Sequence, residues 1–287
     1  MRTLRFVGLA FLLTACASKP KPSRPRPAKL DTCAELAERI RARDSFYSSL
    51  RGGATLTARG RSVDLETALV SGEKLKDLAE LRQSGLARIE LVGPLGIRLG
   101  LVVLNPRWLY VFSISERTVY RFPAEELRKD TLRREALFAK LPVRISPDLF
   151  FLTFLGRVGL PDSAKAPECD FDPDEVAYRV RLPDGERGGR IVWVEPWAYY
   201  PLKALRFEGE LPAFAKIGSE AARPASTATY DRVLGEGPAS LPSRIQVRLE
   251  PSGETLEFLW RRAEAWPNVD VSVFEWEPPA ALKIIDL

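Results

Sequence analysis

Apolar and polar residues alternate along much of the chain after residue 86. In the segment 87–92, Ile89 and Leu91 fall on one face of an extended chain, and Arg88 and Glu90 fall on the other. A period of two residues predicts half-buried β-strands. The same pattern, with turn residues between the segments, predicts further strands at 98–104, 108–114, 118–122, 176–182, 190–195, 199–207, 227–234, 244–250, 255–262 and 269–274. Residues 63–69 also predict a strand, although they alternate only loosely. Many short strands of this kind predict a mainly β (α+β) fold based on a curved antiparallel sheet or barrel.

Helical patterns precede and interrupt these strands. Residues 32–50 carry a helical apolar stripe, and Asp31 or Thr32 is suited to cap its start. Residues 124–141 form a charged segment with spaced leucines and predict a second helix. Residues 148–156 are apolar on nearly every side of a helix, which is typical of a helix that is buried or binds something apolar. The apolar side chains that define this last segment include Leu149, Phe150, Phe151 and Phe154.

The N-terminus has the pattern of an export signal. Arg2 and Arg5 precede a short apolar run over residues 6–13, which is too short to span a bilayer. The run ends in Leu13-Thr14-Ala15-Cys16, a string that resembles the bacterial lipobox. The resemblance implies cleavage before Cys16 and lipid attachment to its sulfur. The alternative is an ordinary signal peptide with a chance cysteine.

A short, strongly positive segment follows this signal. Residues 18–29 contain four prolines and five cations, a composition that predicts an extended tether. This tether is either a solvated linker or a segment that rests on anionic headgroups, and the two are compatible. The whole chain has a net charge of +5, but 36 cations face 38 anions once the signal and tether are set aside. The folded part is therefore not basic, and nothing points to nucleic-acid binding.

These features predict three regions: a signal peptide at 1–15, a lipidated cysteine and tether at 16–29, and a single folded domain at 30–287. No Gly/Ser-rich or charged linker divides the last of these. Two cysteines lie in the folded region, Cys33 and Cys169. An exported chain meets an oxidising compartment, so the pair is a candidate disulfide, although two unpaired thiols remain the alternative.

One segment resembles a known superfamily. Residues 86–96 read Leu-Ala-Arg-Ile-Glu-Leu-Val-Gly-Pro-Leu-Gly and end in the loop Pro94-Leu95-Gly96. The string resembles the strand–loop–strand signature of the LolA/LolB lipoprotein-chaperone superfamily. Residues 142–156 resemble the linker and lid helix of that family, and residues 241–274 resemble the closing strands of LolB-like proteins. The resemblance covers residues 30–274 in order of elements.

The resemblance implies an incompletely closed antiparallel β-barrel with helices packed in its mouth. Its apolar interior would accept the acyl chains of a lipoprotein, received from a periplasmic carrier and released into the outer membrane. Under this interpretation the candidates for the acyl cavity and its lid are Leu91, Leu149, Phe150, Phe151 and Phe154.

In LolB, an exposed leucine in the loop after this strand is implicated in membrane insertion. The matching residue here is Leu95, between Pro94 and Gly96. A rigid turn that presents one aliphatic side chain gains about 2 kcal/mol from burying it in the acyl boundary. The alternative is that Leu95 only caps the barrel end. Ala17 follows the lipidated cysteine, at a position where Asp is associated in some bacteria with retention in the inner membrane. The absence of that Asp implies a location in the outer membrane, facing the periplasm.

An enzyme is not expected. The chain contains no His, which removes Ser-His-Asp and Cys-His machinery and His-ligated zinc. No cofactor or metal motif is present in the sequence. Two hypotheses remain: an acyl-chain and lipoprotein transfer protein, or a structural or assembly lipoprotein that uses the same fold to bind a protein partner. The second predicts a filled barrel and an exposed apolar patch elsewhere, with the additions at 209–227 as one location.

Overall fold

The computed structural model describes residues 27–71, 85–124, 153–161, 167–183, 188–208, 210–217, 222–235, 240–250 and 252–287. These residues form one helix of more than one turn, α1 (Cys33–Phe46), and fourteen strands. The strands are β1 (Ser49–Ala58), β2 (Arg61–Val70), β3 (Leu86–Val92), β4 (Arg98–Leu104), β5 (Trp108–Ser113), β6 (Thr118–Pro123), β7 (Glu168–Asp172), β8 (Ala177–Pro183), β9 (Gly189–Val194), β10 (Pro201–Phe207), β11 (Ser226–Leu234), β12 (Leu241–Leu249), β13 (Thr255–Ala265) and β14 (Lys283–Asp286).

The helix α1 begins with a reciprocal capping box. The Thr32 side chain accepts from the Glu35 backbone N–H, and the Glu35 carboxylate accepts from the Thr32 backbone N–H. The helix ends at Phe46, four residues before the predicted end at residue 50. That prediction was wrong because Ser49 and Leu50 start β1, whose backbone pairs with β2 on one side and β13 on the other.

All fourteen strands belong to one sheet with the order β14-β6-β5-β4-β3-β2-β1-β13-β12-β11-β10-β9-β8-β7. Every pairing in the described residues is antiparallel except β14 with β6, which is parallel. The sheet does not close, because β14 and β7 each have a strand neighbour on one side only among the described residues. The predicted fold class, an incompletely closed curved antiparallel barrel, is confirmed. Of the helices predicted for its mouth, α1 is described, and residues 125–152 lie outside the described residues.

The two faces of the sheet carry different clusters. One face forms the main core, which takes side chains from strands throughout the sheet, from α1 and from residues 153–160. We call it the inner face. The other face, the outer face, carries three smaller clusters. Alternation along each strand explains the division: Leu69 and Ala87 join the main core, and their neighbours Val70 and Leu86 join an outer cluster.

Chain segments cover parts of the outer face. Leu211, Phe214 and Ile217 pack over β8–β10, and the C-terminal segment 266–282 packs over β2–β6. Trp276 in that segment meets Tyr110 of β5 edge-to-face at 5.3 Å. The described part of the 209–227 addition therefore directs its large apolar side chains onto the sheet and does not present them as a patch. The assembly hypothesis had placed an exposed patch there.

Candidate functional site

The C-terminal half of the inner face is filled by residues 153–160. Phe154 is almost fully buried and packs on the Phe258 ring at a centroid distance of 4.2 Å. Its carbonyl accepts a hydrogen bond of 3.1 Å from the Trp260 indole N–H. Of the predicted cavity and lid residues, Phe154 thus lies in the packed core. Leu149, Phe150 and Phe151 lie outside the described residues, as does Cys16.

A buried ion pair anchors this segment to α1. Arg43 Nη1 donates to Asp44 Oδ1 at 3.1 Å and to the Gly156 carbonyl at 2.6 Å. Asp44 in turn accepts from the backbone N–H groups of Val158 and Gly159 at 3.3 and 2.8 Å. The pair is almost completely buried, with 2% and 4% of the two side chains exposed. Burial lowers the pKa of the Arg43 guanidinium, and Asp44 opposes this effect.

Tyr230 of β11 belongs to the same interior. It is 6% exposed, and burial raises the pKa of its hydroxyl to about 12. The phenol therefore stays neutral at physiological pH. Together with the Arg43–Asp44 pair, it gives the filled half of the inner face a polar centre that sequence patterning did not reveal.

The N-terminal half of the inner face opens toward one end of the strands. Near the opposite end its side chains are buried, as at Leu104, Leu109 and Phe122. Toward the end that holds the β3–β4 loop, Leu56 and Leu65 stay buried, but five other apolar inner-face side chains are only partly buried. This open apolar end consists of Val63, Ile89, Leu91, Val102 and Val111.

A glycine makes room for Leu91 at this end. Gly100 of β4 lies opposite Leu91 in the β3–β4 register. A Cβ added at Gly100 would lie 3.6 Å from Leu91 Cδ1 and only 2.9 Å from the Phe112 carbonyl oxygen. A larger residue at position 100 would therefore disturb the β4–β5 ladder. Leu91 thus lies on the inner face, and its role in lining an acyl cavity stays a prediction.

The β3–β4 loop projects from the open apolar end. Gly93 N–H donates to the Ile97 carbonyl at 2.7 Å, which closes the loop at its base. Leu95 has φ 63° and ψ 20°, and Gly96 follows with φ 76°. A left-handed conformation costs a leucine about 1–2 kcal/mol, so the fold holds this residue in a strained turn. Its side chain is 98% exposed.

Leu95 is one of several exposed apolar side chains at this end. Ile97 is 60% exposed, Leu99 is 46% exposed and Ile114 is 39% exposed. The Ile114 N–H donates to the Leu99 carbonyl at 3.3 Å, which joins the β5–β6 turn to the base of the β3–β4 loop. Sequence reasoning identified Leu95 alone. Alternation gives the face of a residue but not whether anything covers it, so Ile97, Leu99 and Ile114 were missed.

The structure joins Cys33 at the start of α1 to Cys169 in β7 by a disulfide, with a Cα–Cα distance of 5.6 Å. Next to it, the Tyr178 hydroxyl accepts from the Asp31 N–H at 2.7 Å. These contacts fix the beginning of the folded region against the β7 edge of the sheet.

The aromatic residues around Pro196 do not form one surface. Trp193 lies in an outer-face cluster, and its indole N–H donates to Asp172 at 2.9 Å. The Tyr199 hydroxyl donates to Asp31 at 3.1 Å, on the side of α1. Trp197 is 45% exposed and Tyr200 is buried. Although these four aromatic residues are close in the sequence, they do not together form one surface that could bind an acyl chain.

A depression of about 440 Å³ lies on the outer face over β13, β1, β2 and β3. Three arginines and three glutamates dominate its lining, and a lining of this kind does not suit an acyl chain. These residues are Arg51, Arg88, Arg262, Glu66, Glu90 and Glu264.

No group of three or more metal-ligating side chains is found in the described part of the chain. None of its helices is long and apolar enough to cross a membrane.

Comparison with known proteins rests on structure alone. No protein-family model matches the chain, and no curated protein matches it. A Vibrio parahaemolyticus domain named for outer membrane lipoprotein sorting superposes with a TM-score of 0.55 at 8% identity, over 84% of this chain and 94% of that one. The chain has the open-barrel fold of LolA-like proteins. At these identities the similarity establishes the fold only.

Two further solved structures resemble this LolA-like fold. A DUF1329 family protein from Desulfovibrio piger has a TM-score of 0.50 at 12% identity, covering 85% of this chain and 95% of that one. A LolA superfamily protein from Nitrosomonas europaea has a TM-score of 0.44 at 14% identity, covering 86% of this chain and 98% of that one.

Proposed function

We propose that this protein is a lipid-anchored envelope lipoprotein that binds the acyl chains of lipoproteins and aids their insertion into the outer membrane. One observation carries the proposal. A partly buried apolar stretch of the inner face, the open apolar end, lies at the same end of the sheet as Leu95, which the fold holds exposed in a strained turn.

Each half of this arrangement has a physical use. The open apolar end offers aliphatic side chains to an acyl chain, which gains about 0.8 kcal/mol for each methylene group that it buries. Leu95 is displayed where it contacts no core, and backbone strain of this kind persists where surrounding structure enforces it. An aliphatic tip next to an acyl-binding surface suits a protein that passes an acyl chain into a bilayer.

The attachment to a membrane and the location in the cell envelope are part of the same proposal. The lipobox-like string at Cys16 would attach the protein to a membrane by its lipid, with residues 16–29 as the tether. We propose an outer-membrane location facing the periplasm, a single domain over 30–287, and acylated lipoprotein or its periplasmic carrier as partner. No catalytic function, cofactor or metal is part of the proposal.

Changing Leu91 to Gln is expected to weaken binding of a triacylated lipopeptide by about tenfold, because the amide must lose its water to contact an acyl chain. The control is Val92→Gln. Val92 is the next residue of β3, is also partly buried, and points to the outer face. Fluorescence titration of a labelled lipopeptide measures both affinities, with circular dichroism to verify folding. Equal affinities for the two variants would exclude the open apolar end as the binding surface.

Changing Leu95 to Glu is expected to leave lipopeptide binding intact and to slow its delivery to vesicles by about thirtyfold. The estimate corresponds to the loss of about 2 kcal/mol of side-chain insertion. The control is Val233→Glu, which places the same charge at another exposed apolar position, in β11. Delivery is followed by transfer of the labelled lipopeptide to vesicles that float in a density gradient. If the Leu95 variant delivers lipopeptide as fast as the parent does, Leu95 does not insert into the membrane and only caps the end of the barrel.

A further inference from the structure

Three neighbouring turns meet at the end of the sheet that carries Leu95. They connect β1 to β2, β3 to β4 and β5 to β6, and the strands involved are consecutive in the sheet. Pairing of Asp64 with Val92 places the first two turns at the same end, and the Ile114 to Leu99 hydrogen bond joins the third. We call these residues, 59–61, 93–99 and 114–117, the tip.

The tip combines exposed aliphatic side chains with cations. Its four large exposed apolar residues are Leu95, Ile97, Leu99 and Ile114. The same turns contain four arginines and one acid, Glu116. The arginines are Arg59, Arg61, Arg98 and Arg117, and all four are exposed.

This local positive charge does not follow from the overall composition. Outside the signal and tether the chain carries 36 cations and 38 anions, so the folded part is slightly acidic. Arg59 is held by Glu254 through hydrogen bonds of 2.9 and 3.1 Å, and Arg98 pairs with Glu90 at 2.8 Å. Arg61 and Arg117 make no ion pair with any residue that the structure describes. Their guanidinium groups are available to an external anion.

Glu116 does not cancel this charge at the turn surface. Its carboxylate accepts a hydrogen bond of 2.7 Å from the Tyr120 hydroxyl. Tyr120 belongs to β6, so this contact directs the carboxylate back along the strand from the turn. Arg117 follows with φ 50°, in the left-handed region.

We propose that the tip binds an anionic phospholipid surface, with Leu95 and Ile97 in the acyl boundary and the guanidinium groups of Arg61 and Arg117 on lipid phosphates. Aliphatic side chains ringed by arginines match the layered chemistry of a bilayer surface, apolar inside and anionic at the headgroups. Guanidinium is suited to this contact because its fork of N–H donors matches phosphate oxygens. The inference deepens the proposed function, since it names the kind of membrane into which this end would insert.

The test uses the mature chain, residues 16–287, carrying Cys16→Ser so that no lipid anchor is present. Binding is measured by co-sedimentation with vesicles of phosphatidylcholine alone and with vesicles containing phosphatidylglycerol. The cationic tether is present in every variant and so contributes equally. The tip variant is Arg61→Gln with Arg117→Gln. The control is Arg107→Gln with Arg232→Gln, a pair of exposed arginines that lie toward the opposite end of the strands.

We expect the tip variant to lose affinity for anionic vesicles by about twenty-five-fold, or about fivefold per arginine, and the control variant to stay within about twofold of the parent. Binding of either variant to phosphatidylcholine should not change. A tip variant that binds anionic vesicles as the parent does, or a control that loses as much, would overturn the inference. Lipopeptide binding by the same tip variant is the second readout: if it is intact, a negative vesicle result rejects the anionic-surface inference and leaves the proposed function standing.

Discussion

Removal of the Cys33–Cys169 disulfide is expected to lower the free energy of unfolding by about 5 kcal/mol. The two cysteines are 136 residues apart, so the bond closes a long loop and strongly restricts the unfolded chain. The bond also ties α1 to β7, one of the two edge strands, and so stabilises the contact between the helix and a strand with one neighbour. The measurement is chemical denaturation of the Cys33→Ala/Cys169→Ala variant beside the oxidised parent.

Reduced parent protein is the matched control for this variant. If the disulfide accounts for the loss, the reduced parent and the double variant should unfold at the same denaturant concentration. A free-thiol assay on the oxidised, folded protein should detect neither cysteine. Two reactive thiols, or a loss below about 1 kcal/mol, would contradict the expectation.

Changing Asp44 to Asn is expected to destabilise the protein by about 3–5 kcal/mol. The substitution leaves the Arg43 guanidinium charged and without its counter-ion in an interior where almost none of the side chain is exposed. It also weakens the acceptor for the Val158 and Gly159 N–H groups. Chemical denaturation at neutral pH measures the change in the free energy of unfolding.

Asp64→Asn is the matched control, because Asp64 forms an ion pair with Arg261 at 3.1 Å in which both side chains are nearly half exposed. Its removal should cost no more than about 1 kcal/mol. Combining Asp44→Asn with Arg43→Met should cost less than the sum of the two single changes, since the double variant leaves no unpaired charge. Strict additivity would mean that the two groups do not act as a pair.

Much of the sheet was predictable from alternation. The predicted segment 98–104 has the bounds of β4, and most other predicted strands between residues 87 and 262 begin and end within three residues of the observed ones. These hairpins are local, so pattern and turn residues suffice to define them. The open-barrel architecture and the choice of Leu95, in contrast, came from the resemblance of residues 86–96 and not from periodicity.

Three strands escaped prediction for identifiable reasons. β1 contains Gly52 and Gly53, and a register shift between Gly53 and Ala54 breaks its alternation. β7 and β14 are short edge strands with five and four residues, too few for a pattern to emerge. β7 pairs with the next strand, β8, whereas β14 depends on β6, which lies far from it along the chain.

One predicted strand was wrong. Residues 269–274 alternate Val with polar residues, a pattern typical of a strand. The structure has a short 3₁₀ turn there instead, Val271–Phe274. Asp270 caps it by accepting from the Ser272 N–H at 3.0 Å, and Phe274 is buried against the outer face. A local side-chain cap and a tertiary contact thus override β-propensity.

The polar centre of the filled half was also beyond sequence reasoning. Arg43 and Asp44 are adjacent on a helix that also carries exposed charges, and nothing in their spacing marks them as buried. Their burial depends on residues 153–160, more than 100 positions along the chain. Only the tertiary arrangement brings these groups together.

The decisive experiment is native mass spectrometry of the protein purified from a membrane fraction. If the inner face binds acyl chains, a population of the protein should carry bound acyl lipid, and an added triacylated lipopeptide should displace that lipid. A protein that is folded, carries no lipid and fails to bind the lipopeptide would contradict the claim that the open inner face is an acyl-binding surface.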